Sequence, residues 1–290
     1  MPELPEVEGV VESLRPFVID QTIVAVHVSD QVRKSHIEGK QAIIKGATPE
    51  DFQNAMVGYR ITSLIRRSKY MFFDLLNEKG AAVLVGHLGM TGAWFPVHSL
   101  DEITETKFRN HVHVVFELSG GYLLVYSDIR RFGEMRLLND ISDHPPLLQM
   151  APEPFAEEGL PHYLEMAQRT IYVNKPIKEF IMDGHVISGC GNIYATEALF
   201  RMRIHPSRKV GRISTARKIA LYEAIVAVLR ESIERGGSSI SDYRNVNGGA
   251  GSMQHFLQMY GKKTCPTCGT ATKQKVIGGR TSTYCPTCQK

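Results

Sequence analysis

Apolar residues in the first fifteen positions recur at three- and four-residue spacing. Val7, Val10, Val11 and Leu14 predict an amphipathic helix over 5–15 that stops at Pro16. The pattern then shortens. Seven runs rich in Val, Ile, Phe and Tyr (22–28, 61–65, 70–76, 81–85, 111–118, 122–128 and 134–138) predict strands, with Gly120-Gly121 marking a hairpin between two of them. Short strands behind one leading helix predict an N-terminal β-sandwich. The segment after it contains His144-Pro145-Pro146 and Pro152-Glu153-Pro154 and predicts a linker. Beyond it the period becomes helical, over about 157–168, 175–184, 191–202 and 214–235. Gly191-Asn192 opens the third of these helices and Gly236-Gly237 closes the fourth. The chain is therefore expected to be α+β and multidomain: a β-sandwich over 1–140, a linker over 141–154, a helical domain over 155–260 and a separate module over 261–290.

The 290 residues are 43% hydrophobic and 22% charged, which excludes a disordered chain and provides for more than one core. No apolar run reaches the roughly 18 residues of a membrane span, and the N-terminus has neither a basic region nor an apolar stretch of secretory type. A soluble cytoplasmic protein is expected. The net charge is +4, but the final 48 residues hold seven Lys or Arg and no acid, so the preceding 242 carry about −3. A basic tail on a near-neutral body points to a polyanionic partner.

Four of the five cysteines lie in that tail, as Cys265-Pro-Thr-Cys268 and Cys285-Pro-Thr-Cys288. Two such knuckles, 16 residues apart, can bring four thiolates together around one zinc ion; two disulfides or redox dithiols are the alternatives, but neither a signal peptide nor a thioredoxin-like βαβ context accompanies them. A segment of this length has no core of its own, so the metal is expected to supply its fold. Cys190, between Gly189 and Gly191, is expected to be a small buried side chain.

Six further motifs accompany the zinc knuckles in order: Pro2-Glu3-Leu4-Pro5-Glu6-Val7, Arg66-Arg67-Ser68-Lys69-Tyr70, His87-Leu88-Gly89-Met90, Asp128-Ile129-Arg130-Arg131-Phe132-Gly133, Gly191-Asn192-Ile193-Tyr194, and Gly279-Arg280. With them the chain resembles, over nearly its whole length, the formamidopyrimidine-DNA glycosylase family of oxidised-purine repair enzymes. The resemblance implies a helix–two turns–helix DNA-binding domain over 155–260, a lesion-covering loop over 243–252 and a zinc-binding β-hairpin at the end. It implies a monomer acting on double-stranded DNA that contains oxidised bases, with one structural zinc per chain. The endonuclease VIII-like enzymes for oxidised pyrimidines share this fold, but usually have Gly where Leu4 stands here. A non-catalytic damaged-DNA binder is a further alternative, although it would have no reason to keep Pro2, Glu3, Lys69 and Arg280 together.

The resemblance implies roles that suit the residue types. Freed by loss of Met1, the secondary amine of Pro2 can attack C1′ and form an iminium directly. An α-amino group titrates near ~7.7–8.0, so part of it is neutral at physiological pH. Glu3 is implied as proton donor and shuttle. Glu6 suits the helix dipole or a supporting hydrogen bond. Lys69 and Arg280 are implied to assist catalysis, Arg280 by gripping a phosphate from a glycine-flanked hairpin tip. Met90, Arg130 and Phe132 are implied to fill the base stack after a nucleotide is extruded. His87, Arg109 and Asn192 are expected on the DNA backbone, as are Lys175 and Lys178 if they are more than solvated helix residues.

Overall fold

The computed structural model of the chain describes residues 2–238 and 251–290. They form two compact units. The first holds Pro2, Glu6–Leu148, Ser238 and Gly251; the second holds Glu3–Pro5, Gln149–Gly237 and Ser252–Lys290. Residues 243–250 of the expected lesion loop lie outside the described residues.

The chain begins with α1 (Leu4–Val18), β1 (Ile23–Val28), α2 (Asp30–Ile37), β2 (Ile43–Ile44) and α3 (Pro49–Met56). Next come β3 (Arg60–Arg67), β4 (Tyr70–Asn77), β5 (Gly80–His87), β6 (Gly92–Val97) and α4 (Thr106–Arg109). The strands β7 (Val112–Leu118), β8 (Leu123–Asp128) and β9 (Glu134–Leu138) and the turn α5 (Pro145–Leu148) complete the first unit. Its strands make two sheets, ordered β1-β7-β8-β6 and β2-β9-β5-β4-β3. Val7, Val10, Val11 and Leu14 of α1 are buried in one cluster with Phe73, Trp94, Phe116 and Tyr126 from the strands. All seven predicted strands are present.

Three departures from the sequence pattern have local causes. α1 does not stop at Pro16 but continues to Val18. Pro16 is exposed, so the carbonyl its ring deprives of a partner is on the wet face, while Val18 is fully buried and holds the last turn. β6 was hidden by Gly92 and Pro96, yet it is the edge strand of its sheet, where a residue without an N–H is tolerated. α2 and α3 have weak apolar periodicity but clear caps. Ser29 accepts from the Val32 amide, and Thr48 accepts from the Asp51 amide with Pro49 at the first helical position.

On β7, between β1 and β8 in the sheet, the buried His113 joins the end of β8 to the cap of α2. Its Nε2 donates to the Asp128 carbonyl at 3.1 Å, so Nδ1 accepts from the Ser29 hydroxyl at 3.0 Å. Burial lowers its pKa from 6.5 to about 4. The unfolded chain therefore takes up this proton first as the pH falls. The stability due to neutral His113 is complete above about 6.5 and is lost progressively down to about 4. Urea midpoints should fall across that window, and the fall should be smaller in His113→Gln; identical pH profiles would exclude His113 as its source.

In the second unit α6 (Gly159–Met166), α7 (Thr170–Val173), α8 (Ile177–Met182), α9 (Asn192–Arg201) and α10 (Thr215–Glu234) precede a hairpin of β10 (Lys273–Ile277) and β11 (Arg280–Tyr284). All four predicted helices are present, and Gly236 and Gly237 end α10 with positive φ. Residues 193–200 of α9 are all buried, so this helix is the axis of the unit. Among the described residues no helix is long and apolar enough to cross a membrane.

Candidate active site and nucleic-acid interface

The N-terminal residues are held by a glycine cradle. The Leu4 amide donates to the Gly189 carbonyl at 3.2 Å. The Glu3 carboxylate, only 3% exposed, accepts from the amides of Gly191 and Ile193 at 2.9 Å each and from Tyr194 at 3.5 Å. These are donors at the start of α9, where free N–H groups and the helix dipole favour an anion. A Cβ on Gly191 would lie 2.3 Å from the Glu3 carboxyl carbon, and one on Gly189 would lie 2.6 Å from Leu4 Cβ. The two glycines flanking Cys190 thus make room for Glu3 and Leu4, and Cys190 itself is buried as expected. Pro2, one residue before Glu3, is also buried. Glu6 is 1% exposed and accepts from the Ser238 amide at 2.7 Å, so it supports the chain at that point rather than acting through the helix dipole alone.

Lys178 corrects an expectation. It is not a solvated helix residue: it is fully buried, and its Nζ donates to Thr196 Oγ1 at 2.8 Å. Burial lowers its pKa to about 8, opposed by the negative charge of Glu3. A buried carboxylate costs several kcal/mol to desolvate; three amide donors and this ammonium offset that cost for Glu3. Lys175 remains at the surface, with Nζ 2.9 Å from Glu179 and above the Tyr172 ring.

Two residues the sequence reading missed complete this neighbourhood. Glu197, fully buried, accepts from the amides of Gln258, Met259 and Tyr260 at 2.7–2.9 Å. It thereby fixes Tyr260, whose phenol is raised by burial and by the Glu3 charge. A lone Glu within the apolar run of α9 was the available signal. Asn192 donates from Nδ2 to the Thr281 carbonyl at 3.1 Å, tying the start of α9 to β11. Arg280 opens β11 beside the turn Gly278-Gly279 and is exposed. Both glycines have positive φ, as a two-residue hairpin turn requires.

In the first unit Lys69 occupies the two-residue turn between β3 and β4, following Ser68 with φ +56°. Arg66 braces this turn by pairing with Glu8 of α1 and donating to the Ser68 carbonyl at 3.1 Å. The His87 ring lies 4.8 Å from the Tyr70 ring, tilted at 46°, and its Nδ1 accepts from the Gly89 amide at 3.1 Å. Burial lowers the His87 pKa, with the Lys69 charge adding to the effect and Glu134 opposing it. The neutral ring therefore carries its proton on Nε2, available to an acceptor. Arg109 is exposed at the end of α4, 3.8 Å from Asp101.

Met90, Arg130 and Phe132 are brought together. Arg130 Nη1 is 3.1 Å from Met90 Sδ, and its guanidinium lies 4.7 Å over the Phe132 ring. Phe132 is 55% exposed. Burying a Phe side chain contributes about 1.5–3 kcal/mol, so this position forgoes roughly half of that and is not a core residue. Asp128, fully buried, holds both turns. It accepts from Thr91 Oγ1 at 2.6 Å, the Arg130 amide at 3.1 Å and the Gly133 amide at 2.7 Å. A Cβ on Gly89 would lie 2.5 Å from the Phe132 carbonyl carbon, so the turns pack backbone to backbone. Phe132→Ala should slow processing of a damaged duplex about tenfold or more while sparing an abasic site in single-stranded DNA. Equal losses on both would place Phe132 in folding instead.

The Sγ atoms of Cys265, Cys268, Cys285 and Cys288 all lie within 4.8 Å of one another, and all are free thiols. Zinc–sulfur bonds of ~2.3 Å place tetrahedral thiolates about 3.8 Å apart. The Cys265–Cys288 and Cys268–Cys285 separations of 3.9 and 3.5 Å fit that geometry.

Known proteins place this arrangement. Residues 1–135 match the N-terminal domain of formamidopyrimidine-DNA glycosylase, 150–244 its H2TH domain, and 262–290 the zinc finger found in FPG and IleRS. The formamidopyrimidine-DNA glycosylase of Bacillus cereus is 38% identical over all of this chain and 99% of its own. The chain belongs to the formamidopyrimidine-DNA glycosylase family. Another family member, from Geobacillus kaustophilus, is 35% identical over the full length of both chains. The crystal structure of the Thermus thermophilus MutM (Fpg) protein superposes with a TM-score of 0.81 at 34% identity, covering 99% of this chain and 98% of that one. A Lactococcus lactis Fpg variant in complex with a Fapy-dG containing DNA gives 0.83 at 28% identity, with both chains fully covered. The expected fold class, α+β with a β-sandwich, a helix–two turns–helix domain and a zinc hairpin, is that of the family.

Proposed function

We propose that this chain is a bifunctional DNA glycosylase and abasic-site lyase of base excision repair that removes oxidised purines, 8-oxoguanine and formamidopyrimidines among them. The observation that carries this reading is Glu3, buried beside Pro2 and held by the first amides of α9, in a chain that matches the family from end to end.

Once Met1 is removed, the Pro2 nitrogen attacks C1′ and the C1′–base bond breaks. Glu3 delivers a proton to the deoxyribose ring oxygen as the ring opens, leaving an iminium between Pro2 and C1′. The iminium acidifies the C2′ proton. Its loss expels the 3′ phosphate, and a second elimination expels the 5′ phosphate, leaving a one-nucleotide gap with phosphate at both ends. Lys69 and Arg280 assist, Arg280 by holding a phosphate beside the lesion. The cluster of Met90, Arg130 and Phe132 fills the stack vacated by the flipped nucleotide. His87, Arg109, Asn192 and Lys175 contact the DNA backbone. Zinc held by the four cysteines supplies structure to the hairpin that carries Arg280. The active form is a cytoplasmic monomer.

An excision panel tests the reading, using duplexes that carry 8-oxoguanine, formamidopyrimidine, thymine glycol or an abasic site. The purine lesions and the abasic site should be cleaved and thymine glycol processed much more slowly. Preference for thymine glycol would assign the chain to oxidised pyrimidines.

A further inference from the structure

Residues 198–222, from within α9 to the start of α10, contain seven Lys or Arg and no Asp or Glu. Only Arg201 among them pairs with an Asp or Glu side chain in the described residues, Glu231 at 2.7 Å. The loop between the two helices encloses a depression of about 420 Å³ lined by His205, Ser207, Arg208, Lys209, Arg212 and Lys290. None of these side chains is acidic. The Ser207 amide donates to His205 Nδ1 at 3.1 Å, so the neutral imidazole keeps its proton on Nε2. Ser207 Oγ is buried and has no hydrogen-bond partner among the described residues. Arg208 spends one N–H on the main-chain oxygen of the terminal Lys290 at 3.2 Å, and among the described residues Lys209 reaches only Asn174 Oδ1, at 3.4 Å.

The side chains of this depression offer donors and positive charge, which select an anion. It holds more cations than one phosphate neutralises, and Lys209 and Arg212 are exposed to a ligand passing over it. Repeating charge fits this better than a small carboxylate. The depression also lies beyond the end of α9 opposite Asn192, and ten helical residues span about 15 Å. We propose that this depression is a second phosphate-binding surface, gripping the backbone of duplex DNA outside the segment held at the lesion. The proposal rests on reading the chain as a DNA enzyme, but its test does not require a lesion.

Binding of undamaged duplexes of about 12 and about 40 bp is measured against salt, for the parent and for the variant R208Q/K209Q/R212Q. Each phosphate contact contributes about 0.9 to the slope of log affinity on log salt. The parent should show a steeper slope on the long duplex, and the variant should lose about 2–3 of that slope there. Single-turnover excision on a short lesion duplex at saturating enzyme should be unchanged. The charge-preserving variant R208K/K209R/R212K should behave as the parent, and equal zinc content and melting temperature exclude misfolding. An unchanged slope on the long duplex overturns the proposal. So does an equal loss on both lengths with slowed excision, which would make these residues part of the lesion contact. A change confined to inhibition by inorganic phosphate would also overturn it, by reducing the site to one for a free anion. If the parent binds DNA as described yet excises nothing, the enzymatic reading fails and this surface stands.

Discussion

Glu3→Gln is expected to slow removal of an oxidised purine by roughly 10²–10⁴-fold, the usual contribution of a positioned acid–base group. The substitution keeps the side chain's shape and removes its ability to exchange a proton. It also replaces one acceptor by an NH₂ group in a place where Gly191, Ile193 and Tyr194 all present donors. Gly191→Ala separates the two effects. It leaves the carboxyl group intact and displaces it, because a Cβ there would be 2.3 Å from the Glu3 carboxyl carbon. A large loss in both variants, with DNA affinity kept, supports a positioned proton shuttle. Full activity of Glu3→Gln would leave Glu3 as no more than an anion at a helix end.

Cys288→Ser should remove zinc and reduce DNA binding at least tenfold, with little effect on the β-sandwich. The hairpin has little apolar core besides the buried Ile277, and Cys265 and Cys285 are buried with it. Structural zinc contributes about 10–16 kcal/mol to the folding of such small modules. Without it the turn that presents Arg280 is not fixed. The neighbouring Gln289, which donates to the Ile204 carbonyl at 2.9 Å and accepts from the Cys285 amide at 2.8 Å, would lose its place with it. Metal analysis and a DNA titration read both effects. Normal binding by metal-free protein would contradict the assignment.

Elements governed by local periodicity were legible in the sequence. Val7, Val10, Val11 and Leu14 announced α1, and the paired cysteine knuckles announced the metal site. The Arg130–Phe132 cluster needed the family resemblance, since neither exposure nor proximity to Met90 can be read from spacing. Lys178 was misread because a Lys on a short helix gives no hint that Thr196 and Glu3 await it inside. Gly189 drew attention only as a neighbour of Cys190, and Gly191 as a helix start, although their role is to admit Glu3 and Leu4, more than 180 residues away in the chain. Glu197 and Tyr260 escaped because a carboxylate that gathers three main-chain amides leaves no pattern in those amides' residues. Long-range polar contacts of this kind are set by tertiary packing, and the hydrophobic period carries no record of them.

The central claim is that the Pro2 nitrogen is the nucleophile. Borohydride reduction during reaction with an 8-oxoguanine duplex should trap one covalent protein–DNA adduct, and peptide mapping should place it on Pro2 as the N-terminal residue. A form retaining Met1 should give none. An adduct on Lys69, Lys178 or any other lysine, or one that persists with Met1 in place, would contradict the account.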